Sequence, residues 1–137
     1  MYDSGRLALE EHKKQELTGQ IGKKWKSVYT GIQVISNRLT PAHRDSKGQP
    51  HWYDLLVSLG HGGIPELSLE DLGLKLRYPT GTVVGLCGNL LKHEVKYWGH
   101  GERVCYAHFM RTAVLNTLGC SMGDWVRADD YAPVGLA

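Results

Sequence analysis

Three absences narrow this sequence before any motif is read. No apolar run approaches the roughly 18 residues that a spanning helix needs, and residues 1–14 are polar where a secretory leader would be apolar. No membrane association is therefore expected. Cysteine is scarce: Cys87, Cys105 and Cys120 are odd in number and none belongs to a C-x-x-C pair. That pattern argues against a disulfide framework and against a cysteine-built zinc site, and it fits a reduced, intracellular compartment. A charge excess is missing as well, since 16 Lys and Arg against 14 Asp and Glu leave a formal net charge of +2. The chain is no polycation, so any contact with nucleic acid has to come from a local patch. Repeats and low-complexity segments are absent too, and 137 residues suffice for one buried core but not for two.

What is present reads as a β-rich chain divided by Gly and Pro turns. Helix formers over residues 5–17 predict a helix capped by Ser4, broken at 18–22. The basic cluster Lys23-Lys24-Trp25-Lys26 follows, either a solvated turn with Trp25 tucked into the core or a phosphate-contacting edge. Strands are expected over 27–36, with a bulge tolerated at Gly31, and over 52–59, 72–78, 82–87, 90–97 and 102–110. Residues 52–59 read as buried on both faces apart from Asp54, and 72–78 as half-exposed with Leu72, Leu74, Leu76 and Tyr78 on its apolar side. Pro41 marks residues 37–42 as irregular; residues 64–71 read as a short connection with room for one helical turn, and 112–118 as a terminal helix. Many strands with short turns and little helix between them argue for an antiparallel sandwich or small barrel.

The chemistry is concentrated between His43 and Arg111. In His43-Arg44-Asp45 the outer two residues can bring an imidazole nitrogen and a carboxylate oxygen to one ion while Arg44 points elsewhere. His93, near the middle of an apolar segment, is the candidate third ligand, with His51, His100 and His108 as competitors. Two histidines and one carboxylate leave three positions of an octahedral iron(II) open, as oxygen chemistry with a bidentate cosubstrate requires. Arg103, ten residues after His93, would anchor that cosubstrate through a bidentate fork. Side chains two apart share a strand face, so Arg103, Cys105, Ala107, Phe109 and Arg111 point one way and His108 the other.

These residues resemble the iron(II)- and 2-oxoglutarate-dependent dioxygenases, and more narrowly the TET/JBP group and its fungal members. The likeness runs over roughly residues 31–125. It is carried by Asn-Arg-Leu-Thr-Pro-Ala-His-Arg-Asp (37–45), Tyr-Asp-Leu-Leu-Val-Ser-Leu-Gly (53–60), Tyr-Pro-Thr-Gly-Thr-Val-Val (78–84) and Arg-Val-Cys-Tyr-Ala-His-Phe-Met-Arg (103–111). The resemblance implies a double-stranded β-helix, a jelly-roll or cupin-like core, mostly β with flanking helices. It implies one dioxygenase domain, with 1–26 the N-terminal helix and basic turn, 27–111 the core, and 112–137 a C-terminal helix and tail.

It further implies Fe(II) held by His43, Asp45 and His93, which are the catalytic centre, and 2-oxoglutarate bound by Arg103 with Cys105 and Asn37 beside it. The implied reaction uses dioxygen to oxidise 5-methylcytosine to 5-hydroxymethylcytosine in methylated DNA, single-stranded or with the base flipped out, which would place the protein in the nucleus. Phe109 and Arg111 would meet the base, with Trp52, Tyr53 and Trp98 as further stacking candidates. Asp54 either accepts from the cytosine amine, caps a turn, or pairs with Arg77 or Arg38. Relatives carry substantial sequence before the ligand-bearing strands that grips the DNA, whereas 42 residues precede His43 here, so a weaker duplex grip is expected. A free nucleobase or nucleoside substrate and a non-catalytic metal-binding barrel are the competing readings.

Overall fold

The structure, a computed structural model, describes residues 1–15 and 19–127. Two helices, α1 (Tyr2–Lys14) and α2 (Gly19–Lys24), precede β1 (Gly31–Ser36), β2 (Thr40–His43), β3 (Asp54–Leu59) and β4 (Glu66–Leu69). A 3-10 turn, Glu70–Leu72, leads to β5 (Leu74–Arg77), β6 (Val83–Leu86), β7 (His93–Val95), β8 (Val104–Phe109) and the last helix, α3 (Thr112–Thr117). The eight strands form two four-stranded antiparallel sheets, a major sheet β1-β8-β3-β6 and a minor sheet β2-β7-β4-β5. The chain passes back and forth between the sheets, which is the jelly-roll, double-stranded β-helix arrangement.

Period-two patterning explains what fills the space between the sheets. Leu67 and Leu69 of β4, Leu86 of β6, Val95 of β7 and Cys105 of β8 turn inward with Tyr78 and form one buried cluster. A second cluster, Ala8, Trp52, Met110 and Leu115, fastens α1 and α3 to one end of the sandwich. No helix among the described residues is long and apolar enough to cross a membrane.

Several local expectations change. Helix α1 starts at Tyr2, and the Gly5 amide already donates to the Met1 carbonyl at 3.0 Å, so Ser4 lies buried inside the first turn and caps nothing. Leu17 lies outside the described residues. The expected break over 18–22 instead holds α2, which packs on α1. Two strands stand where irregular chain was expected. β2 contains Pro41, tolerated because β2 is an edge strand whose register shifts between Thr40 and His43. β4 alternates Glu-Leu-Ser-Leu with both leucines buried, in a segment of only four residues just after Pro65. The strand over 52–59 starts at Asp54 and is mostly half-buried, because Trp52 is taken up by the helix-side cluster. Of the apolar set over 72–78 only Tyr78 is buried: Leu72 falls in the 3-10 turn, and Leu74 and Leu76 lie on the open edge strand β5.

Candidate active site

His43 ends β2, His93 begins β7, and the two are register partners with ring centroids 4.3 Å apart. Asp45 follows two residues later, where its amide donates to the Gly88 carbonyl at 2.9 Å. One ligand atom from each of His43, Asp45 and His93 lies within 4.8 Å of the others. The hydrogen bonds decide which atoms those are. His43 Nδ1 lies 2.8 Å from the Pro41 carbonyl oxygen and His93 Nδ1 2.9 Å from that of Leu91. A carbonyl only accepts, so both Nδ1 atoms carry a proton, which leaves Nε2 of each ring as the atom available to a metal. Those Nε2 atoms face the same carboxylate, at 3.7 Å from Asp45 Oδ1 and 3.6 Å from Asp45 Oδ2. Burial pushes the His93 imidazole below its ordinary pKa, against the opposing pull of its Leu91 hydrogen bond, and so favours the neutral ring that a metal needs. Two oriented imidazoles and a carboxylate fit iron(II).

Arg103, immediately before β8, is 3% exposed. Its Nη1 donates to the Arg38 carbonyl at 3.0 Å, its Nε is buried without a partner, and among the described residues no carboxylate pairs with it. Burial lowers its pKa. An uncompensated buried cation is costly, and this one lines the same cavity, about 430 Å³, as the His43, Asp45 and His93 side chains. An anion entering the cavity would relieve it. Cys105, also buried, places Sγ 3.5 Å from the Tyr78 hydroxyl on the cavity wall.

Asn37, expected beside the cosubstrate, is not among the residues that line the cavity. Its Oδ1 accepts the Arg103 amide at 2.9 Å and its own amide donates to the Arg103 carbonyl at 2.8 Å, from a left-handed φ of 47°. Asn37 therefore holds the backbone of Arg103.

Phe109 and Arg111 line the cavity, with the guanidinium carbon of Arg111 4.3 Å from the Phe109 ring centroid. The Phe109 ring lies across Gly31, where an added Cβ would come within 2.5 Å of Cε2; Gly31 is thus a regular strand start with no bulge. Asp54 lines the cavity as well and pairs with neither Arg77 nor Arg38 among the described residues. Its pKa rises from 3.8 to about 7, first through burial and second through the charge of Asp45, while Arg111 and the Gly88 amide pull it down.

The competing histidines are placed elsewhere. His51 lies 3.2 Å from the Met122 carbonyl oxygen through Nε2, His100 is exposed in its loop, and His108 packs against Tyr29 on the other side of β8. Trp52 is buried beside the cavity with its indole donating to the Met122 carbonyl, while Tyr53 and Trp98 are not among the lining residues. Trp25 donates to the Tyr29 carbonyl at 2.8 Å, leaving Lys23, Lys24 and Lys26 exposed.

Three contributors went unnoticed in the sequence. Tyr78 was legible only as one more apolar strand residue. Gly88 passes between two carboxylates: a Cβ there would collide with Asp54 Oδ2 and lie 2.7 Å from Asp45 Oδ2. Asn89 donates to the Asp45 and Gly48 carbonyls, both at 3.2 Å, and so shapes the loop after the ligand pair. A Gly-Asn turn signal was visible at that point, but not the carboxylates it would meet.

No curated protein sequence matches this chain. Among solved structures, NgTET1 in complex with 5mC DNA superposes with a TM-score of 0.58 at 22% identity, over 64% of this chain and 36% of that one. The chain thus spans about a third of that relative's length. A Cupin 2 conserved barrel domain protein from Salinispora arenicola gives a TM-score of 0.43 at 19% identity, over 69% and 76% of the two chains. The Tet_JBP family, described as the oxygenase domain of the 2OGFeDO superfamily, matches residues 6–112, a span that takes in both sheets and all three metal-ligating candidates. The chain belongs to the Tet_JBP family of 2OGFeDO oxygenase domains.

Proposed function

We propose that this chain is an iron(II)- and 2-oxoglutarate-dependent dioxygenase domain that hydroxylates the methyl group of a nucleobase, converting 5-methylcytosine in DNA to 5-hydroxymethylcytosine. One observation carries the reading. The two locked imidazoles and Asp45 share a cavity with a buried guanidinium that has no carboxylate partner among the described residues. A structural metal site has no use for that cation, and a cosubstrate carboxylate does. Family membership supports the reaction class, and the relative solved with 5mC DNA supports the substrate.

When bound, iron(II) and 2-oxoglutarate supply the oxidising power for a C–H hydroxylation. The chain's own share is binding and orientation. His43, Asp45 and His93 would hold the metal, and Arg103 would pair with a carboxylate of the diacid, with the Cys105 thiol and Tyr78 hydroxyl on the same cavity wall. Phe109, its ring lying across Gly31 with the Arg111 guanidinium over one face, would meet the base together with Arg111. A cytosine inside a duplex cannot reach this cavity, so it enters flipped, at a cost of a few kcal/mol that stacking has to offset. Asp54, half-buried and poised near neutrality, faces the same space and accepts from the exocyclic amine when ionised.

The decisive experiment is an anaerobic titration of iron-loaded protein with 2-oxoglutarate, following the visible charge-transfer band of the chelate in wild type and Arg103→Ala. The band is expected in wild type and strongly weakened in the variant, because the lost charge-assisted bonds amount to about 2–4 kcal/mol, on the order of 30- to 1000-fold in affinity. Bound iron without a band would sink the oxygenase reading. Turnover is then assayed on single- and double-stranded 5-methylcytosine oligonucleotides. Activity on DNA falls steeply with salt, whereas salt-independent turnover of the free nucleoside would move the substrate to the small molecule.

A further inference from the structure

The two segments that bear the metal-ligating candidates are sparsely held by their sheet. β2 meets β7 at Thr40–Val95 and at His43–His93, with a register break between, and β7 is three residues long. The residues flanking the ligands, Arg44 within the first pair and Lys92 just before His93, fall outside that ladder. They converge on one carboxylate. Asp71, in the 3-10 turn after β4, accepts Arg44 Nη2 on Oδ1 at 2.5 Å and the Lys92 backbone amide on Oδ2, also at 2.5 Å. Arg44 Nε donates to the Leu90 carbonyl at 3.0 Å, and the Glu70 amide donates to the Lys92 carbonyl at 3.0 Å.

We infer that Asp71 is a positioning residue for the metal site, a brace that ties the His43–Asp45 segment to the start of the His93 strand; the inference rests on reading His43, Asp45 and His93 as ligands. The argument is geometric. His43 and Asp45 turn inward, so Arg44 between them turns outward, and any rotation that carries Asp45 away from the ligand position drags Arg44 with it. Arg44 is bonded on two sides, to Asp71 and to the Leu90 carbonyl, and both anchors border His93. Asp71 spends its two oxygens on the two segments separately, which a single-acceptor residue cannot reproduce. Arg44 and Asp71 are part-exposed, and exposed ion pairs add little to global stability. The brace therefore sets ligand geometry more than it holds the fold.

The test uses Asp71→Ala, Asp71→Asn and Arg44→Ala. In metal-free protein, hydrogen exchange is read at the Asp45 amide, which Asp71 does not touch and reaches through Arg44 on one side and through the Lys92 segment that carries Gly88 on the other. The Asp71→Ala variant is expected to exchange there at least about tenfold faster, while its melting temperature stays within about 4 °C of wild type. Cobalt(II) titration is expected to show affinity about 10- to 100-fold weaker, the scale of lost supporting contacts around a metal, with an altered visible spectrum. Asp71→Asn, which keeps one oxygen acceptor, falls between. Adding Arg44→Ala to Asp71→Ala weakens affinity further, because the Arg44 bond to the Leu90 carbonyl is then lost too, but by less than the sum of the two single effects, because the Arg44–Asp71 bridge is common to both. Unchanged exchange at Asp45 overturns the brace, as does wild-type cobalt affinity in Asp71→Ala, or a loss of affinity that only tracks a lowered melting temperature. A wild type that binds no cobalt overturns the ligand reading instead, and the Asp45 exchange rate then decides the brace by itself.

Discussion

The two sheets build their halves of the cavity differently. In the major sheet β1, β3 and β8 are six residues long, and β1 and β8 run in unbroken register from Gly31–Phe109 to Ser36–Val104. Cys105, Ala107 and Phe109 inherit their positions from that ladder, and Arg103, one residue before it, is held by the two Asn37 hydrogen bonds to its backbone. In the minor sheet the strands have three or four residues, and β2 breaks register just where the ligands begin. There the ligands are aimed by single hydrogen bonds: Nδ1 to carbonyl for each histidine, Gly88 to the Asp45 amide, and Asp71 to both flanks. Two sources of precision follow. The anion-facing wall is preorganised by backbone pairing, whereas the metal-facing wall is softer until a metal cross-links it, so metal binding should stiffen the minor sheet far more than the major one.

The strongest way to break that contrast is Asp45→Asn. Metal binding and turnover are expected to be lost, because the only anionic ligand is gone, while the metal-free protein melts at or above the wild-type temperature. No sheet ladder depends on Asp45, and removing its charge relieves Asp54. Calorimetry of the metal-free proteins beside a cobalt titration checks both halves of this expectation. A large drop in melting temperature would mean that the ligand loop belongs to the rigid part of the fold.

Asp54 stands at the start of a major-sheet strand, yet its charge is governed partly by Asp45 across the cavity. Its folded pKa, about 7, lies above the ordinary 3.8. The folded state therefore holds this proton more tightly than the unfolded chain does between those values. The stabilisation is fully present below about pH 4, declines as pH rises, and is gone above about pH 7. A full shift would correspond to about 4 kcal/mol; solvent at the cavity mouth reduces this to on the order of 2 kcal/mol. Urea unfolding of metal-free protein across pH 4–8 should show that slope, with Asp54→Asn abolishing it and Asp45→Asn reducing it by removing the second cause. An unchanged slope in Asp54→Asn would show that another group titrates.

What the sequence revealed follows the same division. Period-two alternation on a long strand is strong, so the inward set from Arg103 to Arg111 was readable before any coordinates, and so were the H-x-D pair and His93. The minor sheet was read poorly. β2 hid behind Pro41, whose cost vanishes only because the strand is at an edge, and β4 offers four residues, too few for alternation to stand out. Asp54 was visible as an odd carboxylate in an apolar run, but its neighbour Asp45 was not, since nothing local says that Gly88 will let the two approach. The hold of Asn37 on Arg103 went unseen for a related reason: a side chain that bonds a backbone 66 residues away looks, in sequence, like any polar residue beside a motif. Asp71 is the extreme case, joined to Arg44 and Lys92 across 27 and 21 residues with no periodic signal.

Tyr78 offers the finest test, because it sits where the chain crosses from the minor sheet to the major one. Its backbone is bonded on both sides: its amide donates to the Pro65 carbonyl at 2.8 Å, and its carbonyl accepts the Ser58 hydroxyl at 3.0 Å. The ring is buried between the sheets and its hydroxyl meets the Cys105 thiol. Tyr78→Phe keeps the ring and every backbone bond, so no cavity opens; only the hydroxyl–thiol pair is lost, at about 0.5–1.5 kcal/mol of stability in urea unfolding. A thiol is a weak acceptor and a weak donor, which puts the expected value at the low end. The larger consequence should be in binding. That hydroxyl lines the same wall as Arg103, so 2-oxoglutarate affinity should fall by a few fold, much less than in Arg103→Ala, with metal affinity unchanged. Equal losses of metal and cosubstrate affinity would mean that the crossing couples the two walls and that the softness of the minor sheet is not its own.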